Sequence, residues 1–319
     1  MRMPARLTPV PMGRPTFLDV PRCADLDALE AHVAILGVPF GVPYDIRWMS
    51  VGVAAPGAVR EQSLRYVPRY LTHYDYDFGG ELLAGRAVKI VDCGDVAMAP
   101  GRFEENRRAT GAAIRAILDR GAVPIVLGGD HSVPIPVMRA YEGCAPMCVI
   151  QFDAHIDFRD ENYGGIRDGR SSTMRRASEM AWVQGMAQIG IRGSGSARRA
   201  EFDAARAYGS VLIGAEELHR VGVEDVLRRI PAADRYYITF DADGLDPSLA
   251  PGVTHPAPGG LTYYEATNLL RGIARKGKIV GFDFVEVEPS LDVAHMTSLH
   301  AAHLILNLIG ALAHAGQVG

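Results

Sequence analysis

The stretch VIQFDAHIDFRD, residues 149–160, begins as a solidly apolar run and ends in a cluster of charged residues. The apolar run is typical of a β-strand that is covered on both faces of a parallel sheet. Asp153, His155 and Asp157 follow at alternate positions, where the strand would end. Because an unpaired carboxylate is very costly to bury, we expect these residues to bind or neutralise positive charge.

Apolar runs of this kind recur along the 319 residues, and most are continuous rather than alternating. This pattern predicts strands that are buried on both faces. The runs are HVAILGVPF (32–40), AVKIVDCGDV (87–96), AVPIVLGGDHS (122–132), MCVIQFDAHID (147–157), AQIGIRG (187–193), SVLIGAEEL (210–218), RYYITFDADGLDP (235–247) and KIVGFDFVEVEP (278–289).

Amphipathic helical patterns separate several of the runs, at residues 104–121, 197–209 and 262–277. The last pattern ends in a basic turn followed by a glycine, a common signal for the end of a helix. Strands that alternate with helices predict an α/β fold with a mostly parallel sheet of about eight strands. We find no linker and no internal repeat, so the spacing indicates one domain.

Composition and charge exclude several classes of function. The chain is 48% hydrophobic and 22% charged, as in ordinary globular proteins, and its formal net charge of −4 gives no basic surface for nucleic acid. Residues 1–17 contain many prolines and no apolar core of a signal peptide. The apolar stretch 301–315 is too short and too interrupted to span a bilayer, and it predicts a core helix.

The chain contains four cysteines and no CxxC pair. This pattern favours free thiols in a reducing compartment over a disulfide framework or a zinc site. We therefore expect a soluble cytoplasmic protein that binds neither membrane nor nucleic acid.

Polar residues follow four of the predicted strands. In open parallel sheets, ligands bind beyond the carboxyl ends of the strands, so these residues should meet at one edge. They are Asp130 and His131, then Asp153 to Asp157, then Asp241 to Asp246, and finally Glu286 within the last strand.

Four carboxylates and two imidazoles would converge there if side chains two apart on a strand point to the same side. Four clustered carboxylates repel one another unless cations lie between them, and two divalent ions would relieve this repulsion. Nitrogen and oxygen ligands without thiolate favour manganese, or nickel or cobalt, over structural zinc. One DxHxD or DxD pattern alone can decorate a surface, but three clusters at three strand ends predict a metal centre.

Three of these segments resemble the signatures of the ureohydrolases, the family of arginase, agmatinase and related amidinohydrolases. They are GGDHS (128–132), FDAHID (152–157) and TFDADGLDPSLAPG (239–252), and the similarity continues through PAPGGLT (256–262) and VEVEP (285–289). The resemblance implies a three-layer α/β/α sandwich of the arginase and deacetylase type. It also implies a single catalytic domain over residues 1–319, with 1–30 as an N-terminal extension, and a homotrimer or homohexamer.

The resemblance further implies two ligand sets, which share Asp153 and Asp241 as bridging residues. One ion would be held by His131, Asp153, Asp157 and Asp241, and the other by Asp153, His155, Asp241 and Asp243. The implied reaction is hydrolysis of a guanidinium group to urea and an amine by water that two dications activate. Asp157 would orient that water, and Glu286 would pair with the planar guanidinium.

Three features depart from the family pattern. Arg170 occupies approximately the place of a histidine that passes protons to the leaving amine, and arginine is a poor proton shuttle. His255 stands where a threonine usually faces the substrate, so it either replaces the missing shuttle or is a structural loop residue. Residues 41–63 replace a glycine- and asparagine-rich loop, and Trp48 within them either closes over a small substrate or packs the loop.

These departures concern the substrate more than the reaction. The asparagine-containing segment that binds the amino-acid part of arginine is not visible, which leaves agmatine, a guanidino acid or a small guanidine or biguanide. A substrate carboxylate would need an arginine nearby, and the ammonium group of agmatine would need an acid. The candidates are Arg47, Arg170 and Arg192 for the first, and Asp45 and Asp160 for the second.

Two other functions compete with this interpretation. A formimidoylglutamase-like or deacetylase-like amide hydrolase is the alternative among enzymes, although Glu286 argues against a deacetylase. A weakly active partner subunit in an oligomer with a paralogous chain is the alternative from another class. The missing shuttle histidine motivates the partner hypothesis, and the complete set of metal ligands opposes it.

Overall fold

The structure is a computed structural model that describes residues 7–8, 15–42, 52–66, 70–162, 165–194 and 197–319. Eleven strands occur within these ranges. In chain order they are β1 (Leu7–Thr8), β2 (Val33–Val38), β3 (Tyr74–Asp75), β4 (Gly80–Glu81), β5 (Ile90–Val96), β6 (Val123–Gly128), β7 (Met147–Phe152), β8 (Val183–Ile191), β9 (Val211–Gly214), β10 (Arg235–Asp241) and β11 (Lys278–Val285).

Nine of the described strands form one sheet in the order β1-β5-β2-β6-β11-β10-β7-β8-β9. Strand β1 pairs antiparallel with β5 at the edge, and the other eight strands run parallel. These eight strands coincide with the eight apolar runs of the sequence. The prediction of a mostly parallel sheet of about eight strands is therefore confirmed.

Helices cover both faces of the sheet. They are α1 (Ala55–Ser63), α2 (Phe103–Asp119), α3 (Pro134–Arg139), α4 (Thr173–Ser178), α5 (Arg199–Tyr208), α6 (Ala215–Val221), α7 (Val223–Arg229), α8 (Tyr263–Lys276) and α9 (Met296–His314). Buried residues of α1, α6, α7, α8 and α9 join one hydrophobic cluster, and those of α2, α3, α4 and α5 join another. The architecture is therefore the expected three-layer α/β/α sandwich.

Strand β2 shows why the runs are solidly apolar. Its side chains alternate between the two hydrophobic clusters, with Val33 and Ile35 in one and Ala34, Leu36 and Val38 in the other. Because a helical layer covers each face, both sets must be apolar.

Helix α9 is a core helix, as the sequence predicts. The segment Val293–His314 is long and apolar enough to cross a membrane, but 78% of its most apolar window is buried inside the protein. Its apolar side chains pack in the same cluster as α8 and the sheet. Its composition is therefore explained by packing within the fold.

Helix α1 lies within residues 41–63, the segment that replaces a glycine- and asparagine-rich loop of the family, and the sequence patterns did not predict it. Pro56 lies in the first turn of the helix, where a missing amide hydrogen has no cost. Val59 then packs into the core. The segment is therefore helical over residues 55–63.

A buried ion pair joins α1 to β5. The Arg60 guanidinium donates from Nε to Asp92 Oδ2 at 2.8 Å and from Nη2 to Asp92 Oδ1 at 3.0 Å. Asp92 also accepts hydrogen bonds from the backbone amides of Phe17 and Gly94. The pair thereby holds the segment before β2 against the sheet.

We expect Arg60→Met to lower the free energy of unfolding by about 3 kcal/mol, because Asp92 would remain buried without its cation. Urea denaturation followed by circular dichroism measures this change. Arg199→Met is the control, because Arg199 forms an exposed ion pair with Asp203 that should contribute little. Equal effects of the two substitutions would contradict the prediction.

Candidate metal centre

The candidate site lies at the carboxyl ends of four adjacent strands, β6, β11, β10 and β7. Phe152, Phe240 and Phe284 stack side by side there, with ring centroids 4.9 and 5.1 Å apart. Asp153 and Asp241 directly follow the first two of these rings in the chain. The packed rings therefore fix the strand ends from which the polar residues project.

Turns, rather than strand alternation, bring the acidic residues together. Strand β7 ends before Asp153, and Asp157 adopts a positive φ of 45°, which is uncommon outside glycine. The turns are held by the carboxylates themselves. Asp241 Oδ1 accepts from the amide of Asp243 at 2.8 Å, and Asp243 Oδ1 accepts from the amide of Ala154 at 3.0 Å.

The first group of ligand atoms surrounds His131. Its Nδ1 atom lies 2.9 Å from Asp153 Oδ2, 3.1 Å from Asp157 Oδ2 and 3.0 Å from Asp241 Oδ2. All four side chains are buried. His131, Asp153 and Asp157 are placed so that they can hold a metal ion, and Asp241 borders the same space.

The second group surrounds His155. Its Nδ1 atom lies 3.3 Å from Asp153 Oδ1 and 3.0 Å from Asp243 Oδ2. These three residues can also hold an ion. The side chain of His155 is 27% exposed, whereas that of His131 is 2% exposed. The second group therefore lies nearer the solvent.

Each ionised carboxylate in this cluster makes ionisation of its neighbours less favourable and so raises their pKa. Burial raises the pKa of Asp241 well above its usual range, and the charges of Asp243 and Asp153 raise it further. Burial and the Asp153 charge raise the pKa of Asp157 to about 6. Burial opposes protonation of His131, but its three carboxylate neighbours outweigh this effect and raise its pKa. The cluster as a whole thus attracts positive charge.

The residues present fit a pair of divalent cations. His131 Nδ1 is buried and has no hydrogen-bond partner, although three carboxylate oxygens lie about it. A buried polar atom without a partner is costly, and coordination of a cation would satisfy it. The oxygen and nitrogen donor set is suited to manganese and similar ions.

Glu286 follows β11 and adopts a φ of 63°. Its Oε1 accepts from the amide of His131 at 2.9 Å, and its own amide donates to the carbonyl of Gly129 at 2.8 Å. Gly129 has no room for a side chain, because a Cβ atom would lie 1.8 Å from the carbonyl oxygen of Phe40. Glu286 is therefore fixed beside the first group of ligand atoms.

Arg170 lies next to Glu286. Its Nη1 atom is 3.6 Å from Glu286 Oε2, and its side chain is only 11% exposed. Burial raises the pKa of Glu286 to about 8, and the positive charge of Arg170 partly offsets this rise. The carboxylate is thus stabilised by a cationic neighbour.

His255 lies in the exposed loop after β10, with Nδ1 2.9 Å from Thr254 Oγ1. Partial burial lowers the pKa of His255, and the positive charges of Arg170 and His155 lower it further. His255 is therefore within electrostatic reach of both residues. Trp48, Asp45 and Arg47 lie outside the described residues.

Two of the residues considered for recognition of the substrate tail are engaged elsewhere. The guanidinium of Arg192 donates to the backbone carbonyls of Asp243 at 2.6 Å and Ala257 at 2.7 Å, so it holds the loop after β10. Asp160 accepts from Arg176 at 2.7 Å and from Arg167 at 3.0 Å. A role of Arg192 or Asp160 in binding the tail is therefore not supported.

Several polar residues behind the ligands were missed by the sequence analysis. Thr239, Asp283, Gln151 and Gln188 are fully buried within the strands. The signal was present, because each interrupts a solidly apolar run. A polar residue at such a position needs a hydrogen-bond partner, and these partners lead to the ligands.

Comparisons with known proteins agree with this geometry. A family profile described as "Arginase family" matches residues 31–310. The chain is 33% identical to a guanidinopropionase of Pseudomonas aeruginosa, over 95% of this chain and 93% of that protein. It is 30% identical to a guanidinobutyrase of the same organism, over 91% of this chain and 88% of that protein. The solved structure of proclavaminate amidino hydrolase from Streptomyces clavuligerus has a TM-score of 0.81 and 29% identity, covering 98% of this chain and 100% of that chain.

Proposed function

The chain belongs to the arginase family and is a hydrolase of C–N bonds in linear amidines, and we propose that it hydrolyses a guanidino acid to urea and an amino acid. One observation carries this proposal. Four carboxylates lie around the side chains of His131 and His155, and the Nδ1 atom of His131 has no hydrogen-bond partner. The buried carboxylate of Glu286 accepts from the backbone amide of His131.

Two divalent ions, manganese in our proposal, would be held by the two ligand groups. His131, Asp153, Asp157 and Asp241 would hold one ion. Asp153, His155 and Asp243 would hold the other, and the family resemblance adds Asp241 to this second set. When bound, such ions lower the pKa of a water molecule and so supply a nucleophile at neutral pH. Asp157, whose Oδ2 lies 3.1 Å from His131 Nδ1, would orient this water and accept its proton.

Glu286 would bind the guanidinium group of the substrate. One of its oxygens is used by the amide of His131, and the other, Oε2, lies toward Arg170. A guanidinium ion matches a carboxylate in shape and charge, so the substrate carbon would be held beside the ligand groups. A substrate guanidinium would compete with Arg170 for the same carboxylate.

Arg170 supports a guanidino acid over agmatine. Its Nη1 atom lies 3.6 Å from Glu286 Oε2, so this cation stands beside the proposed guanidinium site. On displacement from Glu286, its guanidinium can pair with a substrate carboxylate. Of the two acids considered for the ammonium of agmatine, Asp160 is already paired with two arginines, and Asp45 lies outside the described residues. The two relatives named for guanidino acids are similar to nearly the whole of this chain.

A substrate panel tests this proposal. Purified protein would be loaded with manganese, nickel or cobalt and assayed for urea with guanidinopropionate, guanidinobutyrate, agmatine, arginine, guanidine and a biguanide. We expect the highest kcat/KM with one of the two guanidino acids. Preference for agmatine would overturn the assignment of Arg170, and urea from none of the compounds would overturn the proposed reaction.

We expect His255→Ala to lower kcat by about 10²-fold if His255 passes a proton to the leaving amine. The lowered pKa of His255, caused by partial burial and by Arg170 and His155, keeps it neutral near pH 7 and able to accept a proton. Steady-state urea formation at pH 7 to 9 measures this effect. Thr254→Val is the control, because it removes the hydroxyl that contacts His255 but keeps the imidazole. Full turnover by His255→Ala would show that the residue is structural.

We further propose a cytoplasmic homotrimer or homohexamer. All four cysteines are free thiols, which suits a reducing compartment. Exposed aromatic residues Tyr74, Tyr76 and Tyr264 border a cavity of about 760 Å³ on the side of α8 and α9, and this surface suits a contact between subunits. Sedimentation equilibrium would test the proposal, and a monomer at micromolar concentration would contradict it.

A further inference from the structure

A chain of buried hydrogen bonds leads from His131 into the centre of the sheet. His131 Nε2 lies 2.9 Å from Thr239 Oγ1, and the Thr239 hydroxyl donates to Asp283 Oδ1 at 2.7 Å. The Tyr237 hydroxyl donates to the other oxygen of Asp283. All four side chains are at most 1–2% exposed, and Asp283 borders neither group of ligand atoms.

The direction of these bonds follows from the chemistry of the groups. An ionised carboxylate accepts hydrogen bonds but does not donate them, so both hydroxyl hydrogens point to Asp283. The hydrogen of Thr239 is thereby used, and its oxygen must accept from His131 Nε2. With a cation bound, the lone pair of Nδ1 would be free to coordinate it in the space that Asp153, Asp157 and Asp241 border, where Nδ1 has no hydrogen-bond partner.

We propose that Thr239 and Asp283 are positioning residues that fix the tautomer and ring orientation of His131 for cation binding. The inference rests on the proposed metal centre. It adds that residues which are not ligands hold one of the ligands, His131, in the orientation that binding requires. Ligating imidazoles commonly donate their second N–H to such a partner, which raises their basicity as ligands. Here the carboxylate acts on the imidazole through an intervening threonine.

A separate hydrogen-bond chain supports Asp153. Its Oδ2 accepts from Gln151 Nε2 at 2.6 Å, Gln151 Oε1 accepts from Gln188 Nε2 at 2.5 Å, and Gln188 Oε1 accepts from the Ser210 hydroxyl at 2.9 Å. Since Asp153 touches both ligand groups, this chain serves both. The Thr239 chain serves His131 alone, so its loss should affect one ion selectively.

Titration with Mn²⁺ tests this selectivity. The free ion has a six-line electron paramagnetic resonance spectrum, so its disappearance counts the ions bound per chain. Wild type is expected to bind two ions. Thr239→Val should bind one ion with wild-type affinity and the second about 10- to 100-fold more weakly. Thr239→Ser, which keeps the hydroxyl, should restore the second ion.

Thr110→Val is the matched control, because Thr110 is equally buried and its hydroxyl donates to the carbonyl of Asn106 in α2. It should bind two ions as wild type does. Asp283→Asn provides a second variant and should also weaken one ion, since an amide cannot accept from both hydroxyls through two carboxylate oxygens. Circular dichroism would confirm that each variant is folded.

The inference would be overturned if Thr239→Val and Asp283→Asn each bound two Mn²⁺ ions with the affinities of wild type. Equal weakening by Thr239→Val and Thr239→Ser would overturn it as well, since a general packing defect would then account for the loss. Wild-type protein that binds no Mn²⁺, Ni²⁺ or Co²⁺ would instead overturn the metal centre itself, and the inference with it. The two failures are therefore distinguished by the wild-type titration alone.

Discussion

Asp153→Asn is expected to bind fewer than one ion per chain and to form urea on the order of 10³-fold more slowly than wild type, through loss of several kcal/mol of electrostatic stabilisation. Asp153 is the residue whose two oxygens approach both imidazoles. Its Oδ2 lies 2.9 Å from His131 Nδ1, and its Oδ1 lies 3.3 Å from His155 Nδ1. An amide has the same shape but lacks the charge that two dications require between them.

Metal content after reconstitution and dialysis, measured by mass spectrometry, would accompany the urea assay for Asp153→Asn. Asp119→Asn is the control, because it removes an acid from a surface ion pair with Arg115. Two tightly bound ions and wild-type urea formation in Asp153→Asn would contradict the bridging role. The same measurement on wild type tests the partner-subunit hypothesis, which expects less than one ion per chain.

The sheet was predictable because its chemistry is local. A strand that is covered on both faces must be apolar at every position, so the eight parallel strands appeared as continuous runs such as residues 32–40. The site was predictable for a related reason. Parallel strands end at one edge, so polar residues after four strands that lie side by side, β6, β11, β10 and β7, must meet there.

The detailed path of the turns was not predictable. The expected alternation of side chains along a strand does not apply, since β7 has already ended before Asp153 and Asp157 has a positive φ. Helix α1 was not predicted because its first turn contains a proline and a glycine, which usually indicate a turn or loop. The engagement of Arg192 with backbone carbonyls depends on a contact between β8 and the loop after β10, which sequence spacing does not reveal.

Some expectations stay predictions. A single catalytic domain over residues 1–319, with 1–30 as an extension, agrees with a family match over residues 31–310 but is not tested by it. The role of Trp48 concerns a residue outside the described ranges. The individual roles of the ligands, Glu286, His255 and Arg170 depend on the experiments proposed above.

Glu286→Gln is expected to keep both ions but to lower kcat/KM for the guanidino substrate by about 10²-fold, as loss of a charge-assisted hydrogen bond predicts. Glutamine has nearly the same shape, and its Oε1 can still accept from the amide of His131, so the ligand groups should stay in place. The loss should therefore concern the substrate and not the metal. Urea formation and Mn²⁺ titration on the same sample separate the two effects.

Glu288→Gln is the matched control, two residues further along the same segment. Its carboxylate accepts from the amides of Gly52 at 3.1 Å and Ser290 at 3.1 Å, so it holds a loop and has no assigned contact with substrate. Wild-type kcat/KM in Glu286→Gln would show that Glu286 does not bind the substrate guanidinium. It would favour an amide substrate, which carries no positive charge for Glu286 to balance. Loss of bound metal in Glu286→Gln, with Glu288→Gln unaffected, would instead show that Glu286 acts by holding the backbone of His131.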